Sequence, residues 1–105
     1  MNICAIAGCL ARNAVLKGTD KKVLLFTLAA TAGRDDSEQN ERVSYIPVVV
    51  FNPSDDLVQS LVQHGKGTHI ELEGRIVSSS YEANGERKFT TEVMAFNRSL
   101  TLLKN

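Results

Sequence analysis

Ile70, Leu72, Gly74 and Ile76 alternate with His69, Glu71, Glu73 and Arg75. This is the period-two pattern of a strand with one dry and one wet face. Asn84-Gly85 supplies the left-handed backbone of a two-residue hairpin turn, and a second β-rich run over residues 89–96 returns antiparallel. The arms are long for so tight a turn, and Tyr81, Arg87 and Lys88 cluster near its polar tip. Three further apolar runs precede this hairpin: residues 3–10, short and rich in small side chains; residues 23–30, VLLFTLAA; and residues 43–51, VSYIPVVVF. In the last of these Ile46, Val48 and Val50 share one face, and Tyr45, Pro47, Val49 and Phe51 the other. Pro47 has no N–H to give a ladder, which predicts a sheet edge or a bulge near it. Asn52-Pro53-Ser54 then turns the chain, and Leu57, Val58, Leu61 and Val62 recur at helical spacing. Ser54 is the expected N-cap, Asp55 and Asp56 complement the helix start, and Gly65 is the expected stop. The predicted order is three strands, one short helix and two strands.

Composition narrows the setting. At 105 residues with 43% hydrophobic content, the chain is one domain able to bury roughly two thirds of its unfolded surface. No internal repeat, linker or low-complexity tract divides it, so a single domain over residues 1–105 is expected. No apolar run approaches the ~20 residues of a membrane span, and no secretory leader pattern opens the chain. A cytoplasmic protein with no membrane partner is the expectation. Twelve basic residues balance twelve acidic ones, so no overall field draws a polyanion. Local charge is uneven: residues 12–34 hold Arg12, Lys17, Lys21, Lys22 and Arg34 against Asp20 alone, and residues 35–41 reverse the sign. Solvated loops account for such a pattern as well as a binding surface does, so charge alone decides nothing.

Catalytic and metal chemistry find little support. Cys4 and Cys9 lie on opposite faces of one strand, roughly 16 Å apart if extended, too far for a disulfide, and are read as small hydrophobes. His64 and His69 are the only imidazoles, and neither stands in a zinc-ligand spacing. With no nucleophile–base–acid set and no phosphate-cradling glycine loop, the chain is expected to be neither an enzyme nor a cofactor binder.

The predicted element order is that of the oligonucleotide-binding (OB) barrel: all-β with one short helix, a five-stranded Greek-key barrel with a long hairpin joining its fourth and fifth strands. Over about ninety residues the chain resembles the bacterial single-stranded DNA-binding proteins. Asn2 and Gly8-Cys9-Leu10-Ala11-Arg12-Asn13 are similar to the family's opening strand and its G-x-L-x-x-D turn, with Asn13 in place of the acid. Phe26-Thr27-Leu28-Ala29 matches its F-x-L-A strand. The strand from Tyr45 to Phe51 resembles its W-H-x-V-V-x-F, Gly65 or Lys66-Gly67 with Glu73-Gly74-Arg75 its K-G and E-G segment, and Thr90-Thr91-Glu92-Val93 its T-T-E-V.

This resemblance implies sequence-independent binding and protection of single-stranded DNA in replication, recombination or repair, by bases stacking on exposed aromatics beside a basic groove. Carried over residue by residue, the rings are Phe51, Tyr45 and Tyr81, the last two where typical members have Trp. Arg34 stands where members often have a further Trp, in an expected loop, and arginine can stack on a base or pair with phosphate. Arg12, Lys21, Lys22, Arg75, Arg87 and Lys88 complete the expected nucleic-acid-binding set. The absence of any Trp predicts weaker binding or a shorter site. Family members self-assemble through the first strand, and residues 3–7 here are apolar on both faces. Ile3, Cys4, Ala5 and Ile6 are therefore the expected contacts of a homo-oligomer, tetramer ahead of dimer. The family's acidic recruiting tail is not expected, since the chain stops at Leu103-Lys104-Asn105 just past the barrel; replication proteins would then be met by another surface. A bacterial, plasmid or phage source fits such a shortened member. Two alternatives stay open: an accessory factor similar to primosomal replication protein N, and an OB-fold module for protein interaction or assembly.

Overall fold

The computed structural model describes residues 1–34 and 41–103, and of residues 32–34 and 41 the backbone alone. In chain order the elements are β1 (Cys4–Leu10), β2 (Val15–Lys17), β3 (Val23–Arg34), β4 (Glu41–Phe51), α1 (Asp55–Val62), β5 (His69–Ala83), β6 (Glu86–Ala95), a single 3-10 turn (Asn97–Ser99) and β7 (Thr101–Leu103). Five strands close on themselves in the order β1-β3-β4-β6-β5, with β5 pairing back to β1. Only the β4–β6 contact is parallel, at Val48↔Val93 and Val49↔Met94. This is the expected five-stranded Greek-key barrel. Two short strands that the sequence did not announce extend it: β2 pairs with β3, and β7 with β5.

Alternation fills the barrel. Leu10, Leu24, Phe26, Leu28, Val48, Val50, Ile70, Leu72 and Val93 are buried in one cluster, and each contributes about 1.5–3 kcal/mol of apolar burial. Helix α1 adds Leu57 and Leu61 to the same cluster. Its start is as expected: the Ser54 side chain accepts from the Leu57 backbone N–H at 3.2 Å, with Asp55 and Asp56 in the first turn. The helix stops earlier than predicted, with Gln63 as its C-cap and Gly65 in the loop beyond.

Asn13 shows why an amide can stand where the family carries an acid. Its Oδ1 accepts from the Lys66 backbone N–H at 2.8 Å, tying the β1–β2 turn to the loop after α1. An aspartate oxygen would accept the same bond, while the amide adds a longer donation from Nδ2 to the Gln63 carbonyl at 3.5 Å. Asn97 does similar work at the far end of β4, donating from Nδ2 to the Phe51 carbonyl at 2.7 Å.

Pro47 proves to mark an edge. The β3–β4 ladder runs through Thr27↔Pro47 without interruption, and its one irregularity falls between Thr31 and Gly33. On its other side β4 meets β6 only at Val48 and Val49, so the missing N–H costs no ladder bond there. The face shared by Tyr45 and Phe51 is therefore unbroken.

Beyond Gly74↔Cys4, where the β1 pairing ends, β5 continues with only β6 beside it as far as Ala83↔Glu86. At the strand rise this finger reaches roughly 25 Å past the barrel. Asn84 (φ 54) and Gly85 (φ 79) form its tip in left-handed conformation, the predicted two-residue turn. Asn2 braces the root of the finger: its Oδ1 accepts from the Ile76 N–H at 2.9 Å and its Nδ2 donates to the Ile76 carbonyl at 2.7 Å.

Candidate nucleic-acid interface

The ladder registers carry one sheet face across three strands. On β4 the outward residues are Val43, Tyr45, Pro47, Val49 and Phe51, opposite Thr31, Ala29, Thr27, Leu25 and Val23 of β3. Val49 pairs with Met94, which opposite Arg75 leads onto the finger, where Tyr81 faces Lys88. Residues paired in a ladder point to the same side, so Tyr45, Phe51, Tyr81, Arg75 and Lys88 share one continuous outer face. All three rings stand open: Tyr45 is 67% exposed, Phe51 50% and Tyr81 50%. Between them lies an apolar floor of half-buried Leu25 and Met94 and buried Val49.

Cations border this face. Lys21 and Lys22 are exposed in the turn before β3, and the Lys22 carbonyl accepts from the Asn52 N–H at 2.9 Å, placing the turn beside Phe51. Arg12 and Lys17 line a depression of about 430 Å³ in the outer face, together with Val15, Leu25, Pro47 and Glu92. The arrangement offers flat apolar surfaces for stacking and separated positive charges for a backbone, which is the chemistry of single-strand binding.

Three sequence expectations change in detail. Arg34 was expected in a loop; instead β3 continues past residue 30, and Arg34 is its last residue, opposite Glu41. Its side chain lies outside the described residues. Arg87 pairs with Glu82, one step out of register with Tyr81↔Lys88, so it points to the opposite side of the finger from the rings. Cys4 and Ile6 pack against the core, while Ile3, Ala5 and Ala7 are exposed. In an oligomer contact Cys4 and Ile6 can offer backbone, but their side chains belong to the barrel.

Lys17, Glu92 and Phe89 lie outside the nucleic-acid-binding set expected from the sequence. Phe89 is 72% exposed and sits opposite Ser80 on the same side as Arg87. Its position was computable: an Asn84-Gly85 turn pairs residue 83 with 86, hence 80 with 89. Among the described residues no group of histidine, cysteine or acidic side chains could hold a metal ion.

The closed five-stranded barrel and its open aromatic face define an OB-fold nucleic-acid binder. A family model described as "Single-strand binding protein family" matches residues 1–101, and the chain belongs to that family; its activity is single-stranded DNA binding. Among solved structures, one described as the Plasmodium falciparum SSB complex with ssDNA is similar in fold, with a TM-score of 0.82 at 22% identity, covering 99% of this chain and 96% of that one. No curated protein matches the chain.

Proposed function

We propose that this chain coats single-stranded DNA without reading most of its sequence, holding exposed strands during replication, recombination or repair. The observation that carries this reading is the placement of Tyr45, Phe51 and Tyr81, each at least half exposed, on one continuous sheet face. Bases stack on these rings, a contact open to every base because each has a π-face. Arg12, Lys21, Lys22, Arg75 and Lys88 meet the phosphates, while Arg34 and Arg87 act at the margins of the path. The complex with ssDNA formed by the Plasmodium relative, whose fold this chain shares, supports the same reading. Titration with oligo-dT tests it: tyrosine fluorescence is expected to fall on binding and to recover as salt is added. A signal indifferent to oligo-dT at low ionic strength would remove the proposal in favour of an assembly module.

The cations make a second, separable prediction. Lys22→Ala and Lys88→Ala should each flatten the dependence of log affinity on log salt by about 0.7, the single-strand slope per neutralised phosphate. Ring substitutions should leave that slope nearly unchanged. A salt slope unaltered in both lysine variants would move the phosphate path off this face.

Self-assembly through β1 belongs to the same proposal. Residues 4–7 pair with β5 on one side, whereas β3 reaches β1 only at Cys9 and Leu10. Among the described residues the other edge of residues 4–7 thus has no paired strand, beside exposed Ile3, Ala5 and Ala7, a template that a symmetry-related β1 can complete. A tetramer, ahead of a dimer, is expected in light scattering at micromolar concentration. Monomers under those conditions would contradict it.

A further inference from the structure

We propose that the depression beside Arg12 and Lys17 is a nucleobase pocket in which Glu92 recognises amino groups. One position along the bound strand would then prefer a base with an exocyclic amine over thymine. The inference rests on the reading that the outer face carries the strand, and the depression is continuous with that face through Pro47 and Leu25.

Its lining divides by chemistry. Val15, Leu25 and Pro47 offer apolar surface to a ring, and Arg12 and Lys17 bring positive charge to the same depression for the phosphates of an inserted nucleotide. The volume of about 430 Å³ is ample for one base. Glu92 is the anomaly. It lies on the outward side of β6, opposite Val77 and between Lys88 and Met94, and it is half buried. Its carboxylate has no hydrogen-bond or ion-pair partner among the described residues. A fixed negative charge in the path of a polyanion weakens binding by simple Coulomb repulsion, unless something in the ligand donates to it.

An ionised carboxylate only accepts hydrogen bonds. Cytosine N4, adenine N6 and guanine N2 all donate. Thymine offers one N3–H between two carbonyl oxygens, so a carboxylate approaching that edge meets repulsion from O2 and O4 beside a single favourable bond. The pocket is thus expected to tolerate thymine and to favour an amine-bearing base. Carboxylate-to-cytosine N4 contacts are a familiar form of direct readout.

The experiment compares an all-dT oligonucleotide with the same oligomer carrying one central dC, whose ring matches thymine in size. Because binding elsewhere is indifferent to sequence, the strand can shift until dC occupies the pocket. Wild type should bind the dC oligomer about fivefold more tightly, within the range of a base-edge contact. Glu92→Ala should bring the two oligomers to parity while binding all-dT at least as well as wild type, since a negative charge has left the groove. Glu92→Gln keeps the shape but adds an N–H donor, and should shift preference toward thymine. Intact dT binding with an unchanged dC-to-dT ratio in both variants, or with no ratio in wild type, overturns the pocket alone. Failure of wild type to bind either oligomer overturns the outer-face reading as well.

Discussion

Replacing Phe51 and Tyr81 together with alanine is expected to weaken oligo-dT binding about a thousandfold while the barrel stays folded. Each ring offers a stacking platform worth about 1–3 kcal/mol, so two removed together cost about 4 kcal/mol, or three orders of magnitude in Kd. Each single variant should lose roughly thirtyfold. Both side chains are half exposed, and neither belongs to the buried cluster. Their truncation therefore opens no cavity, and stability should move by about 0.5 kcal/mol or less. Fluorescence or anisotropy titration reads the first quantity and thermal unfolding the second. A large fall in Tm would reassign the rings to packing, and unaltered affinity would place the strand elsewhere. Tyr45, the most exposed of the three, stays in place as the internal reporter of residual binding.

The legibility of this site followed from how locally each feature is specified. Tyr45 and Phe51 share a face because strand side chains alternate, and only a bulge could have separated them. Asn84-Gly85 fixed the register of the finger, and that register puts Lys88 across from Tyr81 and turns Arg87 away. The second consequence was available in the sequence yet needs the pairing counted back from the turn. Ser54 announced the helix start because an N-cap acts within three residues.

What escaped was specified by distant partners. β2 and β7 are three residues each, too short for any periodicity to register. Residues 31–34, TAGR, show no apolar alternation, yet β3 continues through them because β4 is there to pair with: Thr31 meets Val43 and Arg34 meets Glu41. The pocket around Glu92 was invisible for a similar reason. It brings together the β1–β2 turn, β2, β3, β4 and β6, and no spacing along the chain records that meeting. Read from sequence, Glu92 is the acid of the T-T-E-V match and carries no binding role. Only the fold shows it lining a depression shared with Val15, Leu25, Pro47, Arg12 and Lys17.

Gly74→Val is expected to have the largest effect on folding of any single change in the finger. Gly74 pairs with Cys4 on one side and Ala95 on the other, at the point where β5 leaves the barrel. A β-carbon there would lie 2.4 Å from the Met94 carbonyl oxygen and 3.0 Å from the Ala95 Cα. These are backbone atoms held in the ladder, so no rotamer change relieves the overlap; β5 and β6 must separate at the seam between them, where the finger leaves the barrel. Against a total stability of about 5–15 kcal/mol, losing that seam is expected to abolish cooperative unfolding or lower Tm by more than about 20 °C. Gly85→Ala provides the contrast. Gly85 also has a special backbone, at φ 79, but nothing lies within 4 Å of its absent β-carbon, so the cost is the left-handed strain alone, about 1–2 kcal/mol, or roughly 5–10 °C. It falls at the tip, away from the core. If Gly74→Val melts like Gly85→Ala, the strands at the root of the finger are looser than the register implies. If it melts far lower, the close approach of β5 to β6 is what holds Tyr81 in place, because the finger that carries the ring has its footing at Gly74.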